Sequence, residues 1–299
     1  YYFYIFNSLT MDKSLTKKLK NALLEASNSA SEYVIKNFEG DFDVFNKGII
    51  EGENLVTSID KKSQEIVYKV MIKNFPDHVL LGEEDSDYNE KKAKDWMWIV
   101  DPIDGTTNYV NKLPMFAISI AILHKGTPVA SSITIPSIKD KKTIMFAIKG
   151  QGTWINDKKI NVNNSFELPK KGILSGNPKW LKNKFMLSDK LIGNLGEIRN
   201  LGSTCYELFL VANNQMQYAI SGYAHSWDFA AGILLIKEAG GSVMKYSEKE
   251  NKFINFQGWS KGYLNDEDTY SSIQNWKGLI LSGNKKIVKY ISSNIIYNY

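Results

Sequence analysis

Apolar residues recur every three or four positions along the first part of the chain, which predicts an amphipathic helix over Ser14–Phe38. Gly40 ends this helix. The cluster Thr57–Asp60 carries helix-start signals and predicts a second helix that runs to about Phe75, where Pro76 stops it. The apolar face of the first helix must pack against another layer of structure.

Short apolar runs predict β-strands along the rest of the chain. The runs lie at residues 78–81, 96–100, 116–124, 128–135, 143–148, 154–155, 173–174, 242–244 and 279–282. Further helices are predicted at residues 203–212, 227–239 and 285–292. Helices alternate with strands throughout, which predicts an α/β or α+β fold of layered sheets and helices.

The composition is that of an ordinary globular protein. Hydrophobic residues make up 43% and charged residues 23% of the 299 positions, which excludes a disordered or a fibrous chain. No apolar run is long enough for a transmembrane helix, which needs about 18 residues or more. The net charge of +5 comes with scattered lysine pairs, which favour solvated faces over the concentrated basic stripe of a nucleic-acid site.

The single cysteine, Cys205, excludes an internal disulfide, and we predict that it is buried in the core. One cysteine and three histidines argue against a structural zinc site. A single cysteine fits a reducing compartment, and we expect a cytoplasmic protein. Residues 1–10 lack the features of a signal peptide, and we expect them to form an extension outside the fold.

Two carboxylates, Asp101 and Asp104, come directly after the apolar run at residues 96–100. Pro102 fixes the backbone between them, and Gly105 permits a tight turn after them. Carboxylates held together at the buried end of a strand repel each other and shift their pKa values, and a cation relieves this repulsion. Because these ligands are all oxygens, the pattern points to Mg²⁺ or a similar hard ion.

The same segment offers a site for an anion. If Thr106 and Thr107 open a helix, the backbone N–H groups of Gly105, Thr106 and Thr107 point outward at a helix N-terminus, where phosphate binds readily. A metal beside such a cradle suits phosphoryl chemistry, since the metal neutralises charge and activates water. The alternative interpretation is a simple turn with acids that cap a helix.

Further acids lie at the ends of predicted elements. Glu83 and Glu84 follow an apolar run and a glycine, where the alternative is an exposed acidic loop. That alternative is our prediction for Glu84, Asp85 and Asp87. Asp228 stands at the start of an apolar helix, where an acid can also simply interact with the helix dipole. Taken together, these acids favour a metal site over a simple turn.

Four segments of the chain together resemble the inositol monophosphatase family. They are Leu55–Asp60, Gly82–Glu84, Trp98–Tyr109 and Trp227–Gly232. The third contains an Asp-Pro-Ile-Asp-Gly-Thr motif and the fourth a Trp-Asp-x-Ala-Ala-Gly motif, and the two together are highly specific. The resemblance covers the chain from about Ser14 to its C-terminus, with the segments in order.

The resemblance implies a layered α-β-α-β-α sandwich, usually dimeric, and a Mg²⁺-dependent phosphatase that is sensitive to lithium. We expect an N-terminal α+β subdomain over residues 11–150 that carries the metal site. A C-terminal α/β subdomain over residues 151–299 would complete this site. The expected partners are a small phosphorylated metabolite and a second copy of the chain, with no membrane.

The resemblance also implies the metal ligands. Glu83 and Asp101, with the carbonyl of Ile103, would hold the first Mg²⁺. Asp101, Asp104 and Asp228 would hold the second, and Glu83 would help to hold a third ion through water. The expectation is therefore two to three Mg²⁺ ions and no covalent phosphoenzyme, which fits the lack of a candidate nucleophilic cysteine or histidine.

The remaining implied roles concern water and substrate. Glu83 and Thr106 would aim the attacking water, with Asp60 hydrogen-bonded to Thr106. The backbone N–H groups of Gly105 and Thr106 would bind the phosphate. The full set of predicted substrate contacts is Asp104, Gly105, Thr106, Gly202, Ser203, Thr204, Ser221 and Asp228.

The substrate itself stays open at this point. The turn Gly202–Thr204 resembles the family's sugar-contacting turn. Inositol-selective members carry a glutamate seven positions before the aspartate of the second motif, and this chain has Ser221 there. A carboxylate that would grip two hydroxyl groups thus becomes a short hydroxyl. Histidinol phosphate, fructose 1,6-bisphosphate, adenosine 3′,5′-bisphosphate and NADP, on which relatives act, are alternatives to an inositol phosphate.

Other side chains near these motifs have open interpretations. Arg199 could bind a second phosphate or a carboxylate, or form an interface ion pair. His225 could touch the substrate, although we interpret it as structural. Trp96 and Trp98 are predicted core residues, and Lys47 is interpreted as a solvated loop lysine, with a mobile lid as the alternative.

Two functions from different classes remain. The preferred one is a metal-dependent phosphatase. The second is an accessory protein that binds RNA or the transcription machinery, as some bacterial relatives do, and the positive charge permits it. A purely structural role is disfavoured, because such a protein has no reason to gather four uncompensated acids in one place.

Overall fold

A computed structural model describes residues 12–46, 55–84, 90–176 and 185–297 of the chain. The predicted extension at residues 1–10 and the predicted loop residue Lys47 lie outside these ranges. Within them, the helices are too short or too polar to cross a bilayer.

The helices of the described residues are short except for the first two. They are α1 (Lys13–Lys36), α2 (Ser58–Asn74), α3 (Thr106–Val110), α4 (Thr204–Ala212), α5 (Ser226–Glu238), α6 (Glu267–Gln274) and α7 (Lys285–Ser292).

The strands of the described ranges form two large sheets and two small ones. The strands of the first large sheet, in spatial order, are β3 (Val79–Gly82), β4 (Trp96–Asp104), β5 (Ala117–His124), β6 (Thr127–Ser137), β7 (Lys141–Ile148), β8 (Gly152–Ile155) and β9 (Lys158–Ile160). Only β3 and β4 pair in parallel in this sheet. The parallel pair ends side by side, and this is where the predicted acids lie.

The second large sheet has six strands. In spatial order they are β12 (Glu197–Arg199), β10 (Leu174–Gly176), β13 (Met216–His225), β16 (Lys277–Gly283), β14 (Ser242–Ser247) and β15 (Lys252–Asn255). Antiparallel pairs are formed by β1 (Val44–Asn46) with β2 (Leu55–Thr57), and by β11 (Phe185–Leu187) with β17 (Ile295–Tyr297). The division of the chain near residue 150 into two subdomains stays a prediction.

Helices and sheets alternate in five layers. Helices α1 and α2 bury their apolar faces against one side of the first sheet. Helices α4 and α5 fill the space between the two large sheets. Helix α7 packs on the outer side of the second sheet. The predicted α-β-α-β-α sandwich is therefore confirmed.

The first two helices follow the predicted pattern closely. In α1 the buried side chains include Leu19, Leu23 and Val34, as the periodicity predicts. Helix α2 begins with a capping box, in which the Thr57 side chain accepts from the backbone of the first turn and the side chain of Asp60 accepts from the Thr57 N–H. This local bonding fixes the side chain of Asp60 at the start of the helix.

Strand β4 is longer than the apolar run predicts. It continues past Val100 to Asp104, with a shift of register against β5 between Asp101 and Asp104. The prediction that the strand ends where the acids begin is therefore wrong. Both acids thus lie on one strand, at the position where its pairing with β5 is disturbed. An irregularity of this kind changes the direction in which side chains point.

Strand β13 was not predicted, although it lies in the middle of the second sheet between β10 and β16. Its sequence mixes apolar residues with Gln217, Ser221 and His225, so it shows neither a regular alternation nor a continuous apolar run. A shift of register against β16 lies between Ser221 and Ala224.

Candidate active site

Strand β4 supplies two buried carboxylates. The exposed fraction of Asp101 is 1% and that of Asp104 is 8%. The backbone N–H of Ile103 donates to Asp101 Oδ1 at 3.1 Å, which holds the first carboxylate against its own turn. The register shift of β4 against β5 falls between the two acids, and one carboxylate oxygen of Asp101 lies within 4.8 Å of one of Asp104.

Glu83 follows β3, the parallel neighbour of β4, and its backbone N–H donates to Val100 O at 3.1 Å. Gln64 of α2 clamps the next residue, since its Nε2 donates to Glu84 O at 2.7 Å and its Oε1 accepts from Glu84 N at 3.0 Å. A β-carbon at Gly82 would lie 1.9 Å from Gln64 Oε1. This clamp therefore requires glycine at position 82.

The same clamp corrects one prediction. Glu84 was predicted to lie in an exposed acidic loop, but its exposed fraction is only 2%. The reason is that Gln64 binds both polar groups of its backbone and draws the residue inward. Asp85 and Asp87, which shared the prediction, lie outside the described residues.

Asp228 reaches the site from the first turn of α5. Its Oδ2 accepts a hydrogen bond from the backbone N–H of His225 at 2.5 Å, so the carboxylate also caps its helix. The carbonyl of Asp228 accepts from Cys205 Sγ at 3.2 Å, which ties α5 to α4. Asp228 is therefore also a helix-terminal acid, as the alternative interpretation had it, and this capping bond holds its carboxylate in place.

Burial and mutual repulsion raise the pKa values of these acids. Burial is the largest cause for Asp101, followed by the charges of Glu83, Asp104 and Asp228, and its pKa is well above the usual range. The pKa of Asp228 is also raised well above its usual range, by burial first and then by Asp104 and Glu83. Across the described part of the chain, no lysine or arginine forms an ion pair with Asp101, Asp104 or Asp228.

Asp104 connects the first sheet to α4. Its Oδ2 accepts from Ser203 Oγ and from the backbone N–H of Cys205, each at 2.5 Å. These bonds oppose the effect of burial, which nevertheless raises the pKa of Asp104 above its ordinary value. With Oδ2 held by two donors, the other oxygen is the one that can serve a cation.

Cys205 is fully buried, as predicted. Its Sγ and one carboxylate oxygen each of Asp101 and Asp104 lie within 4.8 Å of one another. Burial, followed by the charges of Asp104 and Asp101, raises the pKa of the Cys205 thiol well above its usual range. The thiol therefore stays neutral at physiological pH.

The side chains of Thr106 and Asp60 also approach each other, just after the C-terminal end of β4. Thr106 Oγ1 lies 2.9 Å from Ile103 O and 3.4 Å from Asp60 Oδ1. The other carboxylate oxygen of Asp60 accepts from Thr57 Oγ1 at 2.5 Å and from Thr57 N at 2.8 Å. The Thr106 hydroxyl carries one hydrogen and has two acceptors, so it can exchange one for the other.

Gly105 makes the tight turn between β4 and α3. Its φ angle is +86°, in the left-handed region that glycine adopts without strain. A β-carbon here would lie 2.9 Å from Ser203 Cβ and 3.2 Å from Met115 O. The turn therefore brings the backbone of Gly105 and Thr106 directly against the segment that opens α4.

A cavity of about 150 Å³ opens beside Asp104. Its walls include five of the predicted substrate contacts together with side chains that were not predicted. The lining residues are Asp104, Asn200, Gly202, Ser203, Thr204, Glu207, Ile220, Ser221 and Gly222. The structure thus brings the predicted turn of α4 and Ser221 of β13 together at one opening, next to the acids.

With this geometry established, comparisons with known proteins identify the family. A model described as the inositol monophosphatase family matches residues 16–278. The chain belongs to this family. Its relatives include the Nus factor SuhB of Pasteurella multocida (strain Pm70), which is 32% identical over 231 residues, or 76% of this chain and 85% of the relative.

Two further comparisons agree. The fructose-1,6-bisphosphatase/inositol-1-monophosphatase of Aquifex aeolicus (strain VF5) is 30% identical over 193 residues, or 63% of this chain and 71% of the relative. The crystal structure of the extragenic suppressor protein suhB from Bartonella henselae superposes with a TM-score of 0.71 at 25% identity, over 92% of this chain and 97% of the other. The predicted family resemblance is confirmed.

Within this inositol monophosphatase family member, two side chains with open interpretations can now be placed. Arg199 is exposed at the edge strand β12, and its Nη1 donates to Ile198 O at 2.8 Å. His225 stacks on Trp227 with ring centroids 4.3 Å apart. Neither residue lines the cavity beside Asp104. The predicted core residue Trp98 is fully buried, and Trp96 packs against the same cluster.

Several residues of the site were not predicted from the sequence, among them Gln64 and Glu207. Gln64 gives no local signal, because a glutamine inside an amphipathic helix is ordinary and its partner Glu84 is distant in sequence. Glu207 is a buried acid inside the apolar helix α4, and this contrast with its neighbours was the available signal. Burial, and next the charge of Asp104, raise the pKa of Glu207 to about 7 against the opposing hydrogen bond from Leu201.

Proposed function

We propose that this chain is a Mg²⁺-dependent phosphatase that hydrolyses the phosphate monoester of a small metabolite. The observation that carries the proposal is the gathering of Glu83, Asp101, Asp104 and Asp228. Burial and the charges of the neighbouring acids raise the pKa values of Asp101 and Asp228, and the three aspartates have no basic partner in the described residues. The name of the Aquifex aeolicus relative, a phosphatase of two such esters, supports the same chemistry.

The donor set fits Mg²⁺. The side-chain donors are carboxylate oxygens, and the carbonyl of Ile103 adds one more oxygen, which is the ligand type that hard divalent cations prefer. A bound cation relieves the electrostatic repulsion among the acids. Glu83, Asp101 and Ile103 O would hold one ion, and Asp101, Asp104 and Asp228 a second. When bound, Mg²⁺ supplies charge neutralisation at the phosphate and lowers the pKa of a water molecule.

The chain's own residues position water and phosphate. The Thr106 hydroxyl can turn from Ile103 O to Asp60 Oδ1, and a lone pair of its oxygen then accepts from a water molecule. The Thr57 capping box holds Asp60 rigidly for this purpose. In this proposal Glu83, which follows the adjacent strand β3, holds the same water, so that the water attacks phosphorus in line with the leaving oxygen.

Phosphate and leaving group have separate places in this proposal. The N–H groups of Gly105 and Thr106 bind the phosphate at the tight turn after β4. The leaving group then enters the cavity beside Asp104, where Gly202, Ser203 and Thr204 contact it. Asp104, which lines this cavity, and Asp228 complete the substrate contacts of the proposal.

The proposal is tested by phosphate release from a panel of esters. The panel contains inositol 1-phosphate, histidinol phosphate, fructose 1,6-bisphosphate, adenosine 3′,5′-bisphosphate and NADP, each measured with Mg²⁺ and with EDTA. We expect Mg²⁺-dependent release from at least one ester, and inhibition of that activity by Li⁺ at high Mg²⁺. A folded protein that releases phosphate from none of them contradicts the proposal.

A second candidate comes from the names of relatives. The Pasteurella multocida relative is called a Nus factor, which supports a role as an accessory protein that binds RNA or the transcription machinery. Such binding depends on phosphate contacts and falls steeply as salt rises. We would measure RNA binding at two salt concentrations in the wild type and in a variant without phosphatase activity. Salt-dependent binding that survives in the inactive variant favours this second role beside the first.

A further inference from the structure

The second large sheet opens at one end. Strand β14 pairs with β16 only as far as Lys245, which lies opposite Ile280. Beyond this point β14 pairs with β15, whereas the first residues of β16 pair with β13. The two strands therefore part, and a cavity of about 1040 Å³ opens between residues 245–250 and residues 276–279. We call this cavity the split-strand cleft.

Aromatic side chains line the split-strand cleft. Trp276 stacks on Phe256 with ring centroids 5.3 Å apart, and Tyr246 packs edge-on against Phe185 at 5.1 Å. Phe185 and Phe256 are buried, whereas Tyr246 and Trp276 are half-buried. Part of the surface of these two rings is therefore exposed at the cleft, where a planar ring of a ligand can pack against it.

The surroundings hold the Trp276 ring in place. A β-carbon at Gly278 would lie 2.5 Å from Trp276 Cζ2, so the ring lies directly against the backbone of β16. The edges of two further rings meet Trp276, with centroids 5.8 Å away for Phe229 and 5.4 Å away for Trp259. A side chain fixed in this way loses little conformational entropy when it binds a ligand.

The split-strand cleft also carries an excess of positive charge. Four lysines line it, from β14, from the turn after β14, from the segment after β15 and from β16, and they are Lys245, Lys249, Lys261 and Lys277. Within the described part of the chain none of the four forms an ion pair. Of the two glutamates that line the cleft, Glu250 is paired with Lys252 at 3.0 Å. The cleft therefore attracts an anion.

We propose that the split-strand cleft binds a nucleoside polyphosphate. The base packs against the exposed parts of Tyr246 and Trp276, and the phosphates lie among the lysines, which bind phosphate as point charges. The cleft shares no lining residue with the cavity beside Asp104. The inference is therefore independent of the proposed phosphatase function.

The size of the cleft agrees with such a ligand. Sites for small molecules usually have volumes of about 300–1,000 Å³, and the split-strand cleft, at about 1040 Å³, lies at the upper end of this range. A base, a ribose and several phosphates fit in it together. An inorganic anion would fill only a small part of the cleft and would leave the aromatic surface unused.

The test measures the binding of four probes to the wild type by calorimetry. ATP carries ring and phosphates, tripolyphosphate has only the phosphates, adenosine has only the ring with its ribose, and a short single-stranded RNA is the fourth probe. EDTA and about 0.15 M salt keep the proposed metal site without its cation and screen weak surface attraction. We expect ATP to bind about tenfold or more tightly than each other probe, because stacking and lysine contacts act together.

Two double variants locate the site. Lys245→Gln with Lys277→Gln removes two charges from the cleft and should weaken ATP binding about tenfold or more. Lys285→Gln with Lys289→Gln removes the same charge from exposed positions of α7 outside the cleft, and it should leave ATP binding nearly unchanged. If Lys245→Gln lowers the unfolding temperature, Lys261→Gln takes its place, since Lys261 is exposed.

Four results would overturn the inference. If ATP does not bind, the cleft is not a nucleotide site. If tripolyphosphate binds as tightly as ATP, the cleft is only a basic surface. If the RNA binds more tightly than ATP and the cleft variant weakens it, the ligand is a strand of nucleic acid. If the cleft variant binds ATP like the wild type, the nucleotide binds elsewhere. None of these results depends on phosphate release, so the proposed function stands or falls separately.

Discussion

Asp101 is the residue on which the other acids of the site converge. Its carboxyl group hydrogen-bonds with Glu83, and its pKa is raised by burial and by the charges of Glu83, Asp104 and Asp228. Each further negative charge in this buried space therefore costs free energy. The native fold accepts this cost, which is typical of sites where function and stability compete.

Asp101→Asn is expected to abolish Mg²⁺-dependent phosphate release and leave the fold intact, with an equal or higher unfolding temperature. The change removes one repelling charge and keeps an oxygen that can accept from Ile103 N–H. Phosphate release with Mg²⁺ measures the loss of activity, and thermal unfolding in EDTA measures the unfolding temperature. Asp140→Asn, at an exposed turn, is the control. Normal activity in the Asp101 variant would rule out its assignment as a metal ligand.

His78 is a second residue whose protonation the fold controls. Its ring lies 4.4 Å from that of Phe75 and 5.3 Å from that of Trp96, measured between centroids, and its Nδ1 accepts from Trp98 Nε1 at 3.0 Å. Burial is the main cause that lowers its pKa to about 4, and the charges of Lys18 and Lys94 add to it. The folded protein therefore keeps this histidine neutral.

The stability contributed by His78 should depend on pH. The unfolded chain takes up a proton below about pH 6.5 and the folded one only near pH 4, so this contribution is fully present above pH 6.5 and is lost as pH falls toward 4. We expect a loss on the order of 3 kcal/mol, which corresponds to the shift from 6.5 to about 4. Urea unfolding of the wild type and His78→Gln across this range measures it, because other titrating groups are common to both. Parallel curves would contradict the prediction.

At the scale of elements, the end of β3 is fixed by a helix from another layer. Gln64 of α2 holds Glu84 through two hydrogen bonds, and this contact sets the direction in which Glu83 leaves the strand. The contact is possible only because Gly82 has no side chain. One glycine thus determines how closely a helix and a strand end can approach beside the acids.

Gly82→Ala should disturb this junction. Its β-carbon would lie 1.9 Å from Gln64 Oε1, so Gln64 has to move and release Glu84. We expect a loss of about 1–3 kcal/mol in the free energy of unfolding and a lower kcat. Urea unfolding and phosphate release measure the two effects. Gly40→Ala is the control, since its β-carbon would meet only Asn37 O at 3.5 Å. Equal effects of the two substitutions would exclude the clamp.

The elements that sequence predicts well are those whose signal is local. The period of α1, the capping box at Thr57 and the acids after the apolar run of β4 each depend on residues a few positions apart. Strand β13 was missed because it contains polar residues, and Gln217 among them is satisfied by partners distant in sequence. Glu84 was misplaced for the same reason, since its burial depends on Gln64. Local patterns carry no information about such contacts.

At the scale of the whole molecule, the acids join layers that are otherwise separate. Asp101 and Asp104 belong to the first sheet and Glu83 directly follows its strand β3, whereas Asp228 belongs to the helix layer between the sheets. Asp104 adds a direct link to the start of α4 through Ser203 and Cys205. A cation held by these acids would therefore bridge two layers and stabilise their contact.

Mg²⁺ should raise the unfolding temperature of the wild type. A ligand at about one hundred times its dissociation constant stabilises the folded state by about 2.7 kcal/mol when it does not bind the unfolded chain. Thermal unfolding with Mg²⁺ and with EDTA measures the shift, which Asp101→Asn should reduce strongly. If Mg²⁺ raises the unfolding temperature of Asp101→Asn as much as that of the wild type, the cation does not bind at Asp101.

The spacing of these acids along the chain has a consequence for the timing of synthesis. Glu83 and Asp228 are 228 − 83 = 145 residues apart, so the centre cannot assemble until most of the polypeptide has left the ribosome. At about 5–20 residues per second, on the order of 10–30 s pass between the first and the last acid. Incomplete chains therefore cannot hold the full set of acids. The proposed activity therefore cannot begin before α5 has been synthesised.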